Sequence, residues 1–278
     1  MWPDDPNWQM NRLFLLTVAL TLCAMKLIAL LLPATHEANQ RQLFWLLRSP
    51  TSLKRLRPIV TIRQELFRTT LLCSALILSL WAFARLVHGT HIRGVALSYC
   101  AMPVLLLATE CFPAVMTVLW LPSGHRLPSL HHRPWLARSV ADFWGNRWNL
   151  WFSDWSRYAF FQRLRHRPVI ALVLAFTVSG LLHEWVINVP LYFFTGRALF
   201  GTMMVYFLFQ AGGVFLERRF LRRHACLMVV FTWLVVFVPA PLVLNEGLLR
   251  TLLIWPEQDV VAQNRDGGGL HSRSLDKP

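Results

Sequence analysis

The sequence predicts an all-α polytopic membrane protein, and its composition, hydropathy and long apolar runs all favour this fold class. Hydrophobic residues make up 55% of the 278 residues and charged residues only 15%, whereas about 25% of the positions in a soluble domain are charged. The mean hydropathy is +0.42. Several apolar runs reach the roughly 20 residues that a helix needs to cross a bilayer. Lipid is therefore the expected solvent for most of the chain.

About six transmembrane helices are predicted, one for each long apolar run. The runs are 12–32, 69–87, 94–121, 169–194, 199–215 and 225–244. The first run is long, contains Lys26 and follows Asp4 and Asp5, whereas a cleaved signal peptide begins with basic residues. It is therefore expected to remain as a membrane helix.

A single integral membrane domain is predicted for 1–256, with its motif-bearing core at 142–190. The last apolar piece, 245–256, is too short to span and contains Arg250, so it is predicted to be interfacial or re-entrant. The polar tail, 257–278, contains three consecutive glycines and is expected to be disordered.

The net charge of +14 follows the membrane topology. The segments 33–68, 122–168 and 217–224 lie on one side of six spans and hold 7, 8 and 4 Lys plus Arg, whereas the two short turns on the other side hold only Arg93 and Arg197. This bias predicts that the long basic loops 33–68 and 122–168 are cytoplasmic and that both termini are outside. Topology and anionic lipid headgroups therefore explain the charge, and no nucleic-acid partner is expected.

The cysteines do not indicate a disulfide framework or a metal site. Cys23, Cys73, Cys100, Cys111 and Cys226 all fall in or beside apolar runs, without the CxxC or Cys/His spacing of a zinc site. We expect them to be small packing residues.

The loop 122–168 is unusually rich in tryptophan. Trp144, Trp148, Trp151 and Trp155 recur at steps of four, three and four, which would place them on one face of a helix. Polar residues would occupy the opposite face, namely Asp142, Asn146, Asn149, Ser153 and Ser156. The pattern predicts an interfacial helix at the cytoplasmic membrane surface. A simple membrane anchor with a solvated polar face would show the same pattern.

Two ionisable residues, His183 and Glu184, lie in the middle of an apolar run. Ionisable groups inside a span are costly and by default indicate a functional site. On a helix, His183 shares a face with Ser179, whereas Glu184 shares the neighbouring face with Gly180 and Asn188. Glu184 is therefore not expected to orient His183. Hydrogen bonds to neighbouring helices are the alternative explanation for both side chains.

These two motifs together carry a resemblance to a known family. DFWGNRWN, beginning at Asp142, followed by SGLLHEW, beginning at Ser179, resembles the signature pair of the wax synthase branch of the membrane-bound O-acyltransferase family. The resemblance implies an enzyme that transfers an acyl group from acyl-coenzyme A to an alcohol. Asn149 falls on the family's Asn/His position and His183 on its catalytic histidine, followed by Glu184.

The resemblance also implies residue roles. His183 would act as general base, and Asn149 would donate a hydrogen bond to the thioester carbonyl or its oxyanion, or hold the acceptor or coenzyme A. Supporting roles are predicted for Glu184, Trp148 and Ser179. Independently of the resemblance, Arg147, Arg163, Arg165 and Arg167 lie on the predicted cytoplasmic side, where coenzyme A is found, and are predicted to contact its phosphates. The positive-inside rule explains these four arginines equally well. Acyl-coenzyme A would be a co-substrate, no cofactor or metal would be bound, and the acceptor would be a lipophilic alcohol or sterol.

Two other function classes remain open from the residues alone. A small transporter or proton-coupled carrier could relay protons through His183 and Glu184, although such proteins often contain internal repeats and no repeat stands out in this sequence. A non-catalytic membrane assembly subunit could use the same polar residues only to join helices.

Overall fold

The chain is helical through almost all of the residues that the structure describes, which confirms the all-α prediction. The structure is a computed structural model, and it describes residues 6–31, 57–58, 61–90, 92–119, 121, 125–221 and 224–252. The predicted disordered tail and most of the basic loop 33–68 lie outside these residues.

The helices differ widely in length, and several end in π-helical turns. The first four are α1 (Pro6–Leu31), α2 (Ile62–Thr90), α3 (Gly94–Cys100) and α4 (Met102–Leu119). They are followed by α5 (Val140–Asp142), α6 (Leu150–Ser156), α7 (Pro168–His183), α8 (Val189–Thr195), α9 (Thr202–Leu216), α10 (Ala225–Phe237) and α11 (Glu246–Thr251). π-helical turns follow α5, α6, α7 and α9 at Phe143–Arg147, Arg157–Phe161, Glu184–Asn188 and Glu217–Leu221. Short 3₁₀ turns lie at Pro134–Leu136 and Ala240–Leu242. Two-residue strands, β1 (Arg57–Pro58) and β2 (His125–Arg126), pair in antiparallel orientation.

Five helical segments in the described part of the chain are long and apolar enough to cross a membrane. They are Gln9–Ile28, Ile62–Val87, Gly94–Leu119, Pro168–Thr195 and Ala225–Leu242. Large apolar side chains such as Phe67, Trp81 and Phe193 are exposed on these segments, as expected for surfaces that face lipid tails. The chain is an integral multi-pass membrane protein, and the orientation of its loops stays a prediction.

The fifth predicted span, 199–215, is a shorter helix than its apolar run suggested. The run 199–215 begins with loop residues, and α9 has only 15 residues, which corresponds to about 22 Å at 1.5 Å per residue. This length is below the roughly 30 Å of a bilayer's hydrocarbon core. The apolar run is longer than the helix because it includes apolar loop residues that precede Thr202.

α9 packs closely against α7 on one side and α10 on the other. A side-chain carbon added at Gly180 would lie 3.1 Å from the Cα of Met204, and one at Gly213 would lie 2.6 Å from Val235. Glycine is therefore required at both crossings, because any larger residue would separate the helices. At Gly180, the absence of a side chain lets α9 approach α7 closely.

The short apolar piece near the C-terminus is buried inside the bundle. α11 packs against α1 and the turn that follows α7, and residues 246–250 are all buried. The guanidinium of Arg250 donates to Glu246 at 2.8 Å, and Arg197 pairs with the same carboxylate. Arg250 is thus paired inside the protein, and whether the segment is interfacial or re-entrant stays a prediction.

The Trp-rich segment is not the single interfacial helix that the sequence predicted. The helical turns end at Arg147, Trp148 is extended, and Asn149 has left-handed backbone angles before α6 begins. The four tryptophans therefore cannot share one helical face. This break was missed because a spacing of four, three and four residues fits a continuous helix but does not reveal a bend inside it.

Three of these tryptophans hydrogen-bond inside the protein. Trp144 donates to Gln210 on α9 at 3.1 Å. Trp151 donates to a carbonyl oxygen in the preceding loop at 3.0 Å, and Trp155 donates to the carbonyl of Met25 on α1 at 2.9 Å. The indole N–H groups thus join the loop to the transmembrane helices, whereas the sequence predicted that they would lie among lipid headgroups.

Candidate active site

A cavity of about 550 Å³ lies between the Trp-rich loop and the helices α7 and α9. One wall is mostly apolar and comes from α7, α9 and the turn after α9. Its residues are Leu172, Ala175, Phe176, Ser179, His183, Phe207, Val214 and Arg218. The opposite wall comes from the loop and includes Asn149. The cavity therefore brings together the two residues that the sequence motifs predicted as the reactive pair.

The loop wall is polar. The predicted polar face of the Trp-rich segment lines it in full, namely Asp142, Asn146, Asn149, Ser153 and Ser156. The sequence grouped these residues correctly, although they come from two helical pieces on either side of a bend. They line the cavity, and Asn146 is also exposed to solvent, so part of this face is solvated as the anchor interpretation expected.

His183 is held in a defined orientation. Its Nδ1 lies 2.7 Å from the carbonyl oxygen of Ser179, one helical turn earlier, and its ring packs at 4.6 Å from the ring of Phe207. A carbonyl oxygen can only accept, so Nδ1 must carry the proton, which leaves Nε2 of the neutral ring unprotonated. No hydrogen bond from the described residues reaches Nε2. The histidine can therefore accept a proton at this atom.

Asn149 stands at the bend and caps α6. Its backbone angles, φ 41° and ψ 62°, lie in the left-handed region, which asparagine tolerates better than most residues. Its side-chain oxygen accepts from the N–H of Phe152 at 3.3 Å. Among the described residues, no hydrogen bond uses its amide nitrogen, Nδ2. That nitrogen can therefore donate to a molecule in the cavity.

Glu184 does not line the cavity. Its carboxylate accepts from the backbone N–H groups of Met203 at 2.9 Å and Met204 at 3.2 Å, and from Asn188 at 2.7 Å. It thereby satisfies N–H groups in the first turn of α9 that have no partner within that helix. The sequence correctly predicted that Glu184 points away from His183. Its observed partners are structural and support no proton relay between the two residues.

Replacing Glu184 by alanine should therefore destabilise the fold. Each buried donor left without an acceptor costs about 1–3 kcal/mol, and each 1 kcal/mol corresponds to a few degrees of Tm in a protein somewhat smaller than this one. We expect Glu184→Ala to lower the apparent Tm of the detergent-purified protein by several degrees, and Glu184→Gln to lower it less. A variant with normal Tm and no turnover would instead show that Glu184 takes part in the chemistry.

The four arginines predicted to contact coenzyme A do not line the cavity. Arg147 is bound to Asp142 at 2.6 Å, and Arg163 lies over the ring of Tyr158. Arg165 donates to the neighbouring His166, and Arg167 precedes the first turn of α7. Arg147, Arg163 and Arg165 thus contact neighbouring groups on the same stretch of chain, and the partner of Arg147, Asp142, itself lines the cavity.

Two other arginines, Arg157 and Arg218, do line the cavity. Arg157 donates to Asp154 at 3.3 Å and to the carbonyl of Gly145 at 3.0 Å, and 47% of its side chain is exposed. The sequence could have indicated Arg157, because it lies four residues after Ser153 on the polar face. No sequence signal indicated Arg218, since it reaches the cavity only through the packing of α9.

Asp142 and Trp148 also line the loop side of the cavity. Burial by itself raises the pKa of Asp142, but hydrogen bonds from Arg147, the backbone N–H of Arg138 and Asn146 outweigh this effect and lower the pKa below its usual value. Asp142 is therefore a paired, ionised carboxylate. Trp148 lines the cavity and stacks on Phe143, with ring centroids 5.5 Å apart.

Known proteins resemble the part of the chain that forms this cavity. Residues 127–208 match a family model described as "Membrane bound O-acyl transferase family". This range contains both motifs and ends just after Phe207. No solved structure matches the chain.

Three relatives whose names state an enzymatic activity match this chain over limited segments. A long-chain-alcohol O-fatty-acyltransferase of Simmondsia chinensis is 44% identical over 63 residues, which cover 19% of this chain and 18% of that protein. Diacylglycerol O-acyltransferase 1A of Glycine max is 40% identical over 72 residues, covering 25% and 14%. Acyl-CoA–sterol O-acyltransferase 1 of Arabidopsis thaliana is 28% identical over 123 residues, covering 41% and 32%.

The matched segments span less than a third of each of these relatives, and the family model covers 127–208, which includes most of the residues that line the cavity. Within that part, the family-model match and the relatives agree with the resemblance predicted from the two motifs. Residues 127–208 are thus similar to the membrane bound O-acyl transferase family, and the long-chain-alcohol relative agrees with a likeness to its wax synthase branch.

Proposed function

We propose that this protein transfers an acyl group from acyl-coenzyme A to the hydroxyl group of a lipophilic alcohol. One observation carries the proposal: His183 and Asn149, from separate segments, line the same cavity. A proton acceptor and an uncharged hydrogen-bond donor on opposite walls suit an acyl transfer that passes through an oxyanion.

The proposed reaction is a direct transfer. Nε2 of His183 takes the proton from the acceptor hydroxyl while its oxygen attacks the thioester carbonyl. The new C–O bond forms, the C–S bond breaks, and the protonated histidine returns the proton to the leaving thiolate. The hydrogen bond from Nδ1 to Ser179 keeps the ring in the tautomer that this sequence of proton transfers requires.

Asn149 would stabilise the negative charge that develops on the carbonyl oxygen. Its own side-chain oxygen is already used to cap α6, so the amide is oriented before a substrate arrives. A pre-oriented donor needs little reorganisation during the reaction. The apolar wall around His183, including Phe176 and Phe207, would help to exclude water that could hydrolyse the thioester.

Arg157 and Arg218 are the best-placed groups for the phosphates of coenzyme A, because guanidinium groups bind phosphates well. We expect a combined Arg157→Gln and Arg218→Gln variant to raise KM for acyl-coenzyme A about tenfold, which corresponds to about 1.4 kcal/mol of binding, with a smaller effect on kcat. Arg165→Gln, outside the cavity, is the matched control and should behave like the wild type. An unchanged KM in the double variant would exclude this placement of the phosphates.

The apolar wall favours a lipophilic acceptor. The three relatives are named for activity on long-chain alcohols, diacylglycerol and sterols. Each of these substrates presents a hydroxyl group on an apolar body. A fatty alcohol or sterol would enter from the bilayer and meet the acyl donor at His183. The alternative function, a proton-coupled carrier, gains no support, because Glu184 is used to cap α9.

The test is acyl transfer in membranes that contain this chain. Labelled acetyl- and palmitoyl-coenzyme A are each supplied with fatty alcohols, sterols and diacylglycerol, and the ester product is measured. We expect at least one donor and acceptor pair to give ester above empty membranes. If folded wild-type protein forms no ester with any pair, the proposal is wrong for these substrates, and proton-coupled uptake becomes the next measurement.

A further inference from the structure

Two backbone hydrogen bonds hold the chain on either side of Asn149. The N–H of His132 donates to the carbonyl of Arg147 at 2.8 Å, and the N–H of Leu150 donates to the carbonyl of Leu130 at 2.8 Å. Both partners come from the loop that precedes α5. The bend that carries Asn149 is therefore held by residues outside the two helical pieces that flank it.

We call the segment 127–133 the brace. A carboxylate on α4 fastens it to the transmembrane helices: Oε1 of Glu110 accepts from the backbone N–H of His131 at 2.8 Å and from its Nδ1 at 2.9 Å. The side chain of His131 is only 4% exposed and that of Glu110 18%. The ring of His131 packs on Trp148, with centroids 4.1 Å apart.

The bend needs such support. A left-handed residue costs about 1–2 kcal/mol for side chains other than glycine, and strained backbone persists only where the surrounding structure over-determines it. Oε1 of Glu110 accepts from both the backbone and the ring of His131, so it holds this residue at two points. Glu110 can therefore transmit the rigidity of α4 through His131 to the bend.

We propose that Glu110 and His131 are positioning residues for Asn149, which hold its amide against the cavity opposite His183 by fastening the brace to α4. Neither residue lines the cavity, so both act through the bend. This inference rests on the proposed role of Asn149 in acyl transfer.

The experiment compares Glu110→Leu, which removes the acceptor, with Glu110→Gln, which keeps an oxygen for the two N–H groups of His131. A shift of about 1 Å in a reacting group can cost up to about 100-fold in rate. For Glu110→Leu we expect kcat to fall by about 10- to 100-fold, with KM for the acyl donor nearly unchanged. Glu110→Gln should stay close to the wild type, and so should the neighbouring control Thr109→Val, whose hydroxyl bonds only within α4.

Hydrogen exchange of the Leu150 amide gives a readout that does not need activity. This amide is protected by its bond to the brace, and local opening exposes it to exchange. We expect faster exchange at Leu150 in Glu110→Leu but not in Glu110→Gln. If Glu110→Leu does not fold, Glu110→Asp replaces it, since its shorter carboxylate cannot keep both bonds at these distances and should show the same changes to a smaller degree.

Three outcomes would overturn the inference. Wild-type exchange at Leu150 in Glu110→Leu would show that the brace does not depend on Glu110. Faster exchange with normal kcat would show that turnover does not depend on the brace. An equal loss of kcat in Glu110→Gln would show that turnover depends on the charge of Glu110 and not on its hydrogen bonds to the brace. If the wild type itself forms no ester, the proposed function fails, while the exchange difference still tests whether Glu110 holds the bend.

Discussion

His183→Ala is expected to lower the rate of acyl transfer by about 10²- to 10⁴-fold, the usual contribution of a general base. The structure gives the physical reason: Nδ1 is committed to the carbonyl of Ser179, so Nε2 is the atom that can accept a proton in the cavity. Without it, the acceptor hydroxyl must lose its proton to water or attack while still protonated. The measurement is kcat with the donor and acceptor pair that the substrate panel identifies.

His183→Gln separates chemistry from structure. Glutamine keeps a hydrogen-bond donor for Ser179 but is no base at neutral pH, so turnover should be lost while the protein remains folded in membranes. His166→Ala is the matched control, because His166 lies in an exposed turn and contacts Arg165; it should retain full activity. Normal turnover in folded His183→Gln would disprove the base assignment.

Asn149→Asp is expected to lower kcat by about 10²- to 10³-fold, the usual effect of losing one oxyanion donor. Aspartate keeps an oxygen that can cap α6 and tolerates left-handed backbone angles, but it lacks the Nδ2 donor and adds negative charge. Because this donor would act mainly in the transition state, kcat and kcat/KM should fall together. Steady-state kinetics over a range of donor concentrations tests this expectation.

Asn149→Gly and Asn149→Ala complete the series. Glycine adopts the left-handed angles freely and lowers capping stability by only a few tenths of a kcal/mol, so it should lose activity and remain stable. Alanine should lose the same activity and, in addition, about 1–2 kcal/mol of stability from strain and about 1 kcal/mol from the lost cap. If Asn149→Gly is active, Asn149 acts only through the shape of the bend.

The sequence predicted much of the candidate site because helical spacing survives in the folded chain over short distances. Ser179 and His183 lie one turn apart on a single helix and share the cavity, whereas Glu184 faces α9, as the 100° step between adjacent residues predicts. The polar set from Asp142 to Ser156 also reaches one surface. Local helix geometry alone accounts for Ser179, His183 and Glu184, whereas the arrangement of the polar set also depends on the bend at Asn149.

Reasoning from helical spacing failed where contacts between distant parts of the chain determine the structure. The tryptophans fit one helical face by spacing, but the bend at Asn149 is held by the brace, which no periodicity reveals. The four arginines were chosen for their side of the membrane, yet position along the sequence does not determine which guanidinium reaches a cavity. Arg218 does so because α9 crosses α7 at Gly180, where the helices approach closely.

The sequence by itself determined the membrane setting, the helical class and the pair of residues that face each other in the cavity. These follow from composition, from apolar runs that match bilayer thickness, and from two motifs whose members are close along the chain. Only the tertiary structure decided which arginines reach the cavity, that Glu184 caps α9, and that Glu110 fastens the brace to α4. Such contacts join segments far apart in sequence, and their partners are fixed by packing in three dimensions.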